Sequence, residues 1–250
     1  MNIELKEKFL ELWKKYFAEA ELPITFYYSE TEGGAEPFVK TKDGYCIIAE
    51  LAKIRKGKSL YFNKANLGCP GSVRYLGYSD RLRPGFEYFL SCGNEKMEGE
   101  RYKRTPEIVL EMLKDQHQLP VERKNIIFKR WDNLSEADHP EVVIFFATPD
   151  VLSGLFTLAN FDSADNNRVF APFGAGCGSI VHYPYLERQS KDFRAIIGMF
   201  DPSARPYVQR DILTFAVPFE KFEQMVNQME ESFLITKTWD TIRKRISAEK

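Results

Sequence analysis

Histidine and cysteine are scarce in this chain. Its 250 residues hold three His and four Cys, and no two cysteines form a Cys-x-x-Cys pair. Three histidines exclude a His-rich metal site. The cysteine spacing argues against a zinc finger or ribbon, and four cysteines in a chain this long do not make a disulfide scaffold. Phosphate-binding signatures are missing as well. No Gly-x4-Gly-Lys-Ser/Thr loop occurs, and Gly174-Ala-Gly176-Cys-Gly178 lacks the spacing of a dinucleotide fingerprint. Gly-x-Ser-x-Gly is absent, which weakens an α/β-hydrolase reading. No run approaches the roughly 20 apolar residues that span a bilayer. The N-terminal Leu5, Phe9, Leu12, Trp13 and Phe17 fall at helical spacing beside Glu4 and Glu7, unlike a secretory or transit signal. Neither charge sign dominates. The formal net charge is −1, which gives no global basic balance for nucleic acid. A cytoplasmic protein with no nucleic-acid or membrane partner is therefore expected, with room left for a homo-oligomer.

Aromatic side chains are plentiful: 20 Phe and 12 Tyr. They fit an aromatic-rich core or an aromatic-lined pocket. Two stretches also resemble each other. Phe62, Gly68, Cys69, Val73 and Tyr75 recur 108 positions on as Phe170, Gly176, Cys177, Val181 and Tyr183. That register predicts internal duplication.

The pattern predicts a helix over residues 3–19 and strands at 23–28, 59–62, 85–91, 141–147, 193–198 and 211–217. Asp43 is placed to cap a helix bearing Ile47, Ile48, Leu51 and Ile54, and Asp150 to cap one through Leu152, Leu155 and Phe156. Residues 31–37 read as a loop. Pro70, Pro106 and Pro218 each suit a helix start. The last two lie 112 positions apart, which implies a small insertion. The order strand, helix, strand, Cys turn, helix, strand, Pro-helix thus reads twice. It predicts an internally duplicated α+β protein. A single domain over 1–250 would pack two pseudo-repeats, about 20–122 and 140–235, together with an N-terminal helix and a C-terminal helical segment.

Each repeated cysteine sits at a predicted strand-to-helix turn, where free N–H groups lower a thiol's pKa. A thiolate there can bind a soft metal or attack an electrophile. Gly68, Gly176 and Gly178 would let backbone approach a ligand. The plainer reading is a tight turn packing a small apolar side chain. Cys92 is a third candidate ligand or a buried thiol, and Cys46 reads as core. Arg205, in Asp201-Pro-Ser-Ala-Arg205, could clamp an anion or simply sit on a stiffened connection. Arg74 aligns with His182.

Taken as a set, Cys69-Pro-Gly, Ala147-Thr-Pro-Asp150, Gly174-Ala-Gly-Cys177-Gly-Ser-Ile, and Asp201…Arg205 followed by Phe215-Ala-Val-Pro218 resemble the domain of unknown function 169 family of bacteria and archaea. The resemblance spans about residues 20 to 245. It implies a prokaryotic cytoplasmic protein, often found in anaerobes, and supplies neither a reaction nor catalytic residues.

The residues themselves predict a protein that binds a small-molecule or metal-containing ligand between its repeats. The cofactor site would be Cys69, Cys177, Gly68, Gly176, Gly178 and Arg205. Any metal would be held by Cys69, Cys177 and Cys92, in an iron–sulfur cluster or a haem. The alternatives are a thiol enzyme using Cys177 with His182 or Arg205, and a scaffold or regulatory protein with structural cysteines.

Overall fold

The computed structural model describes residues 1–39, 45–114, 116–119 and 121–248. The Asp43 cap lies outside them. Along the chain, α1 (Ile3–Phe17) leads into β1 (Ile24–Ser29), β2 (Glu36–Pro37), α2 (Ile47–Arg55) and β3 (Leu60–Phe62). Then come α3 (Pro70–Tyr75), α4 (Phe86–Leu90), α5 (Pro106–Lys114) and β4 (Asn125–Arg130). Next are β5 (Val142–Ala147), α6 (Pro149–Ala159), β6 (Val169–Phe170), α7 (Tyr183–Glu187), β7 (Ala195–Gly198) and β8 (Leu213–Pro218). α8 (Phe219–Gln228) and α9 (Lys237–Ala248) close the chain. The described residues thus form a mixed α+β fold.

The eight strands of the described residues share one sheet, ordered β2-β3-β4-β1-β5-β8-β7-β6. At its centre β5 runs antiparallel to β1, with Ile24 opposite Ile144, and to β8, with Ile144 opposite Ala216. The unbroken apolar run of β5 follows from cover on both faces. Val143, Phe145 and Ala147 point into a core with α1, α6, α8 and α9, while Val142, Ile144 and Phe146 point into a second core with α2 and the Cys177 segment. This alternation is the two-residue period of a strand. In the first core Trp13 stacks on Phe17 at 4.2 Å and Phe9 packs between Trp131 and Phe222. Asn2 caps α1, its Oδ1 accepting from the N–H of Glu4 at 2.9 Å. No helix of the described residues is long and apolar enough to cross a membrane.

Several expectations are corrected. Residues 85–91 form helix α4, not a strand. A short aromatic run carries no decisive period, and here it finds no strand partner. The repeated order is therefore not realised: at the 108-residue register α4 stands opposite β7. The loop at 31–37 ends in edge strand β2. Helix α6 begins at Pro149 with Thr148 before it, so Asp150 is not the cap; its carboxylate pairs with Arg245 at 2.9 Å.

Candidate functional site

Helices α3, α4 and α5 bury few side chains. Val109 is the only buried residue of α5, and α4 has none. Together with the Cys177 segment they line a cavity of about 620 Å³. Residues 69–117 supply one wall and residues 170–203 the other. Its lining is largely aromatic and aliphatic, with Tyr75, Phe86, Phe89, Phe170, Phe173 and Tyr183 contributing rings. Cavities of 300–1,000 Å³ with such walls are typical small-molecule sites.

One end is polar. Gln116 donates from Nε2 to the Tyr75 hydroxyl at 3.4 Å and accepts from Arg74 at 3.2 Å. Tyr183 donates to the Phe173 carbonyl at 3.1 Å. His182 sits between the two tyrosines, edge-on to Tyr75 at 5.6 Å between ring centroids and to Tyr183 at 5.3 Å. It is 3% exposed and neither ring nitrogen makes a well-formed hydrogen bond, although the His117 backbone lies close enough to act on it. Burial drives its pKa from 6.5 down to about 4; the nearby His117 backbone opposes this and the Arg74 charge adds to it. The ring is therefore neutral at pH 7. Burial likewise pushes the Tyr75 phenol up to about 12.

The two cysteine segments do meet. Gly178 marks the contact: a Cβ there would stand 3.2 Å from the Tyr75 ring, close enough that the ring would have to shift by a few tenths of an ångström. The cysteines themselves part company. Cys69 precedes α3 and lines the cavity. Cys177 lies behind the wall, 6% exposed, in the core with Ile180, Val181 and Met199. The expected lowering of its pKa is reversed. Burial raises the thiol well above its ordinary value, and Cys69, Cys46 and Asp201 add to the rise. Desolvation outweighs the helix end. On native protein N-ethylmaleimide is accordingly expected to label Cys92 and Cys69 within minutes and to spare Cys177 until the chain unfolds. Peptide mass spectrometry reads this out, and rapid labelling of Cys177 would contradict its burial.

The other sequence candidates are placed as follows. Gly68 adjoins Cys69 but is not in the wall. Gly176 serves packing: a Cβ there would lie 2.8 Å from that of Ala204, and its N–H donates to Asp201 at 3.1 Å. Arg205 donates within its own loop, to the carbonyls of Ile212, Gln209 (3.1 Å) and Arg210 (2.6 Å), and does not line the cavity. Cys92 is exposed after α4 and donates to the Gly93 carbonyl at 3.4 Å. Among the described residues no group of three or more His, Cys, Asp or Glu is placed to hold a metal ion. The Cys69–Cys177–Cys92 set is thus not assembled as an iron–sulfur site. Phe86, Phe89, Met112 and His117 enter the wall without a sequence signal that singled them out.

Residues 18–228 match the DUF169 family, described as uncharacterised ArCR, and the chain belongs to that family. No curated protein and no solved structure matches it.

Proposed function

We propose that the protein binds a small, largely apolar organic molecule in the cavity between its two halves, beside Cys69. The supporting observation is the cavity itself: about 620 Å³, ringed by aromatic side chains, with the imidazole of His182, which makes no well-formed hydrogen bond, in its wall. A buried polar group short of a good hydrogen bond costs free energy that a ligand can recover. Cys69 is a wall residue in this reading rather than its chemical centre. The free cysteines suit a reducing cytoplasm.

N-phenyl-1-naphthylamine, a neutral aromatic probe, tests this. It should bind once per chain with a rise in fluorescence. A spectrum and metal analysis of protein prepared without oxygen separate the metal-bearing reading. A Soret band or stoichiometric iron would favour a haem or cluster; colourless, metal-free protein that takes up the probe would favour an organic ligand.

We also read the sheet as a trace of duplication. Outward from the centre, β1–β4 and β4–β3 are antiparallel and β3–β2 parallel; β5–β8 and β8–β7 are antiparallel and β7–β6 parallel. This symmetry equates β2 with β6. It therefore sets Cys46, before α2, against Cys177, where the 108-residue register sets Cys69.

A further inference from the structure

The charges around the cavity are unevenly spent. Four arginines (Arg74, Arg81, Arg83 and Arg194) and three carboxylates (Glu100, Glu187 and Asp201) line it. Glu187 is taken by Arg194, with contacts of 2.7 and 3.1 Å. Asp201 accepts from the N–H groups of Gly176 and Ser203 at 3.1 and 2.9 Å. Glu100 acts on the neighbouring Tyr102 hydroxyl.

The other three guanidiniums have no carboxylate partner among the described residues. Arg74 donates to the Asp80 carbonyl at 2.6 Å and to Gln116. Arg83 contacts the Met97 sulfur at 2.8 Å and lies over the Phe89 ring at 4.5 Å. Arg81 is exposed at the mouth. A guanidinium is a fork of donors matched to carboxylate, sulfonate and phosphate oxygens. Next to Arg74, the neutral imidazole of His182, which makes no well-formed hydrogen bond, offers a further N–H.

Resting on the small-molecule reading above, we propose that the ligand is an apolar anion: a ring-bearing body held among the aromatic walls, with one acidic group facing Arg74, Arg81 and Arg83. The aromatic faces take the body and the arginines supply the selectivity. Weaker binding of the uncharged analogue follows, because a neutral head leaves the guanidiniums unpaired beside an apolar surface.

Two probes of one ring system test this on the full chain. 8-Anilinonaphthalene-1-sulfonate carries the acid and N-phenyl-1-naphthylamine lacks it. The wild type should bind the sulfonate at least tenfold more tightly than the amine. In R74Q, and in an R81Q/R83Q variant that alters only exposed arginines, that preference should fall severalfold while amine affinity stays within twofold. Circular dichroism confirms that each variant is folded. Equal affinity for both probes, or a preference unchanged in both variants, overturns the inference and leaves the cavity reading standing. Failure of both probes to bind overturns the cavity reading itself, and the anion with it.

Discussion

Asp138→Ala is expected to destabilise the protein by about 3–5 kcal/mol, the usual cost of orphaning one partner of a buried ion pair. Asp138 joins three segments. Its Oδ1 accepts from Lys129 of β4 at 2.8 Å and from the Tyr27 hydroxyl of β1; its Oδ2 accepts from the Ser135 N–H at 2.7 Å and the Ser135 hydroxyl at 2.9 Å. The Lys129 side chain is 7% exposed, so removing the carboxylate strands a cation inside the fold. The double variant D138A/K129M should recover much of the loss, because an apolar pair carries no desolvation penalty. Burial alone would raise the Asp138 carboxyl, but the hydrogen bonds from Lys129, Tyr27 and Ser135 win and hold it below its ordinary value. This part of the stability is present above the unfolded pKa of about 4 and is lost as pH falls through the lower folded value. Urea unfolding reads both effects. A loss below about 1 kcal/mol in D138A would contradict the account.

His182 gives the second large effect, opposite in chemistry though not in direction. Its folded pKa of about 4 lies below the ordinary 6.5. Between those values the unfolded chain binds the extra proton, so stability rises with pH. The contribution is complete above about pH 6.5 and is lost on acidification towards pH 4, amounting to about 3 kcal/mol in all and about 2 kcal/mol between pH 7 and pH 5. His182→Phe keeps a ring between Tyr75 and Tyr183 and removes the titration. Its stability should therefore fall by about 2 kcal/mol less than the wild type's over that interval. Parallel pH profiles of the two proteins would show that His182 is not held neutral.

The parts of the fold written in side-chain periodicity were legible. The apolar stripe of α1, the buried face of α2 and the run of β5 each follow from a single repeating preference. Helix α4 was not, because Phe86–Leu90 is too short for a helical period to separate from an alternating one. The site was half legible. The register of Cys69 with Cys177 marks two segments that pack together, and Tyr75 and Tyr183 within them line the cavity. Which side chain of each turn faces the cavity depends on how α3 and the Cys177 segment are rotated against the sheet, and sequence carries no sign of that. Hence Cys177 points into the core while Cys69 stays in the wall. Phe86, Phe89 and Met112 come from helices set by tertiary packing rather than by a motif, and the aromatic content fits core and pocket equally well. Both uses are real: Trp13, Phe17 and Phe145 fill the first core, while Phe86 and Phe89 face the cavity.

Filling the cavity from within tests the central claim most directly. Met112 is half-buried and lines the chamber, so Met112→Trp places an indole where the ligand's apolar body would lie. Isothermal titration of N-phenyl-1-naphthylamine into wild type and M112W, with the melting temperature of each, is the measurement. The account predicts one site in the wild type and at least a tenfold loss of affinity in M112W, about 1.4 kcal/mol or more, with melting temperatures within a few degrees. Unchanged affinity in a folded M112W would place the probe elsewhere and contradict a ligand site between α3–α5 and the Cys177 segment.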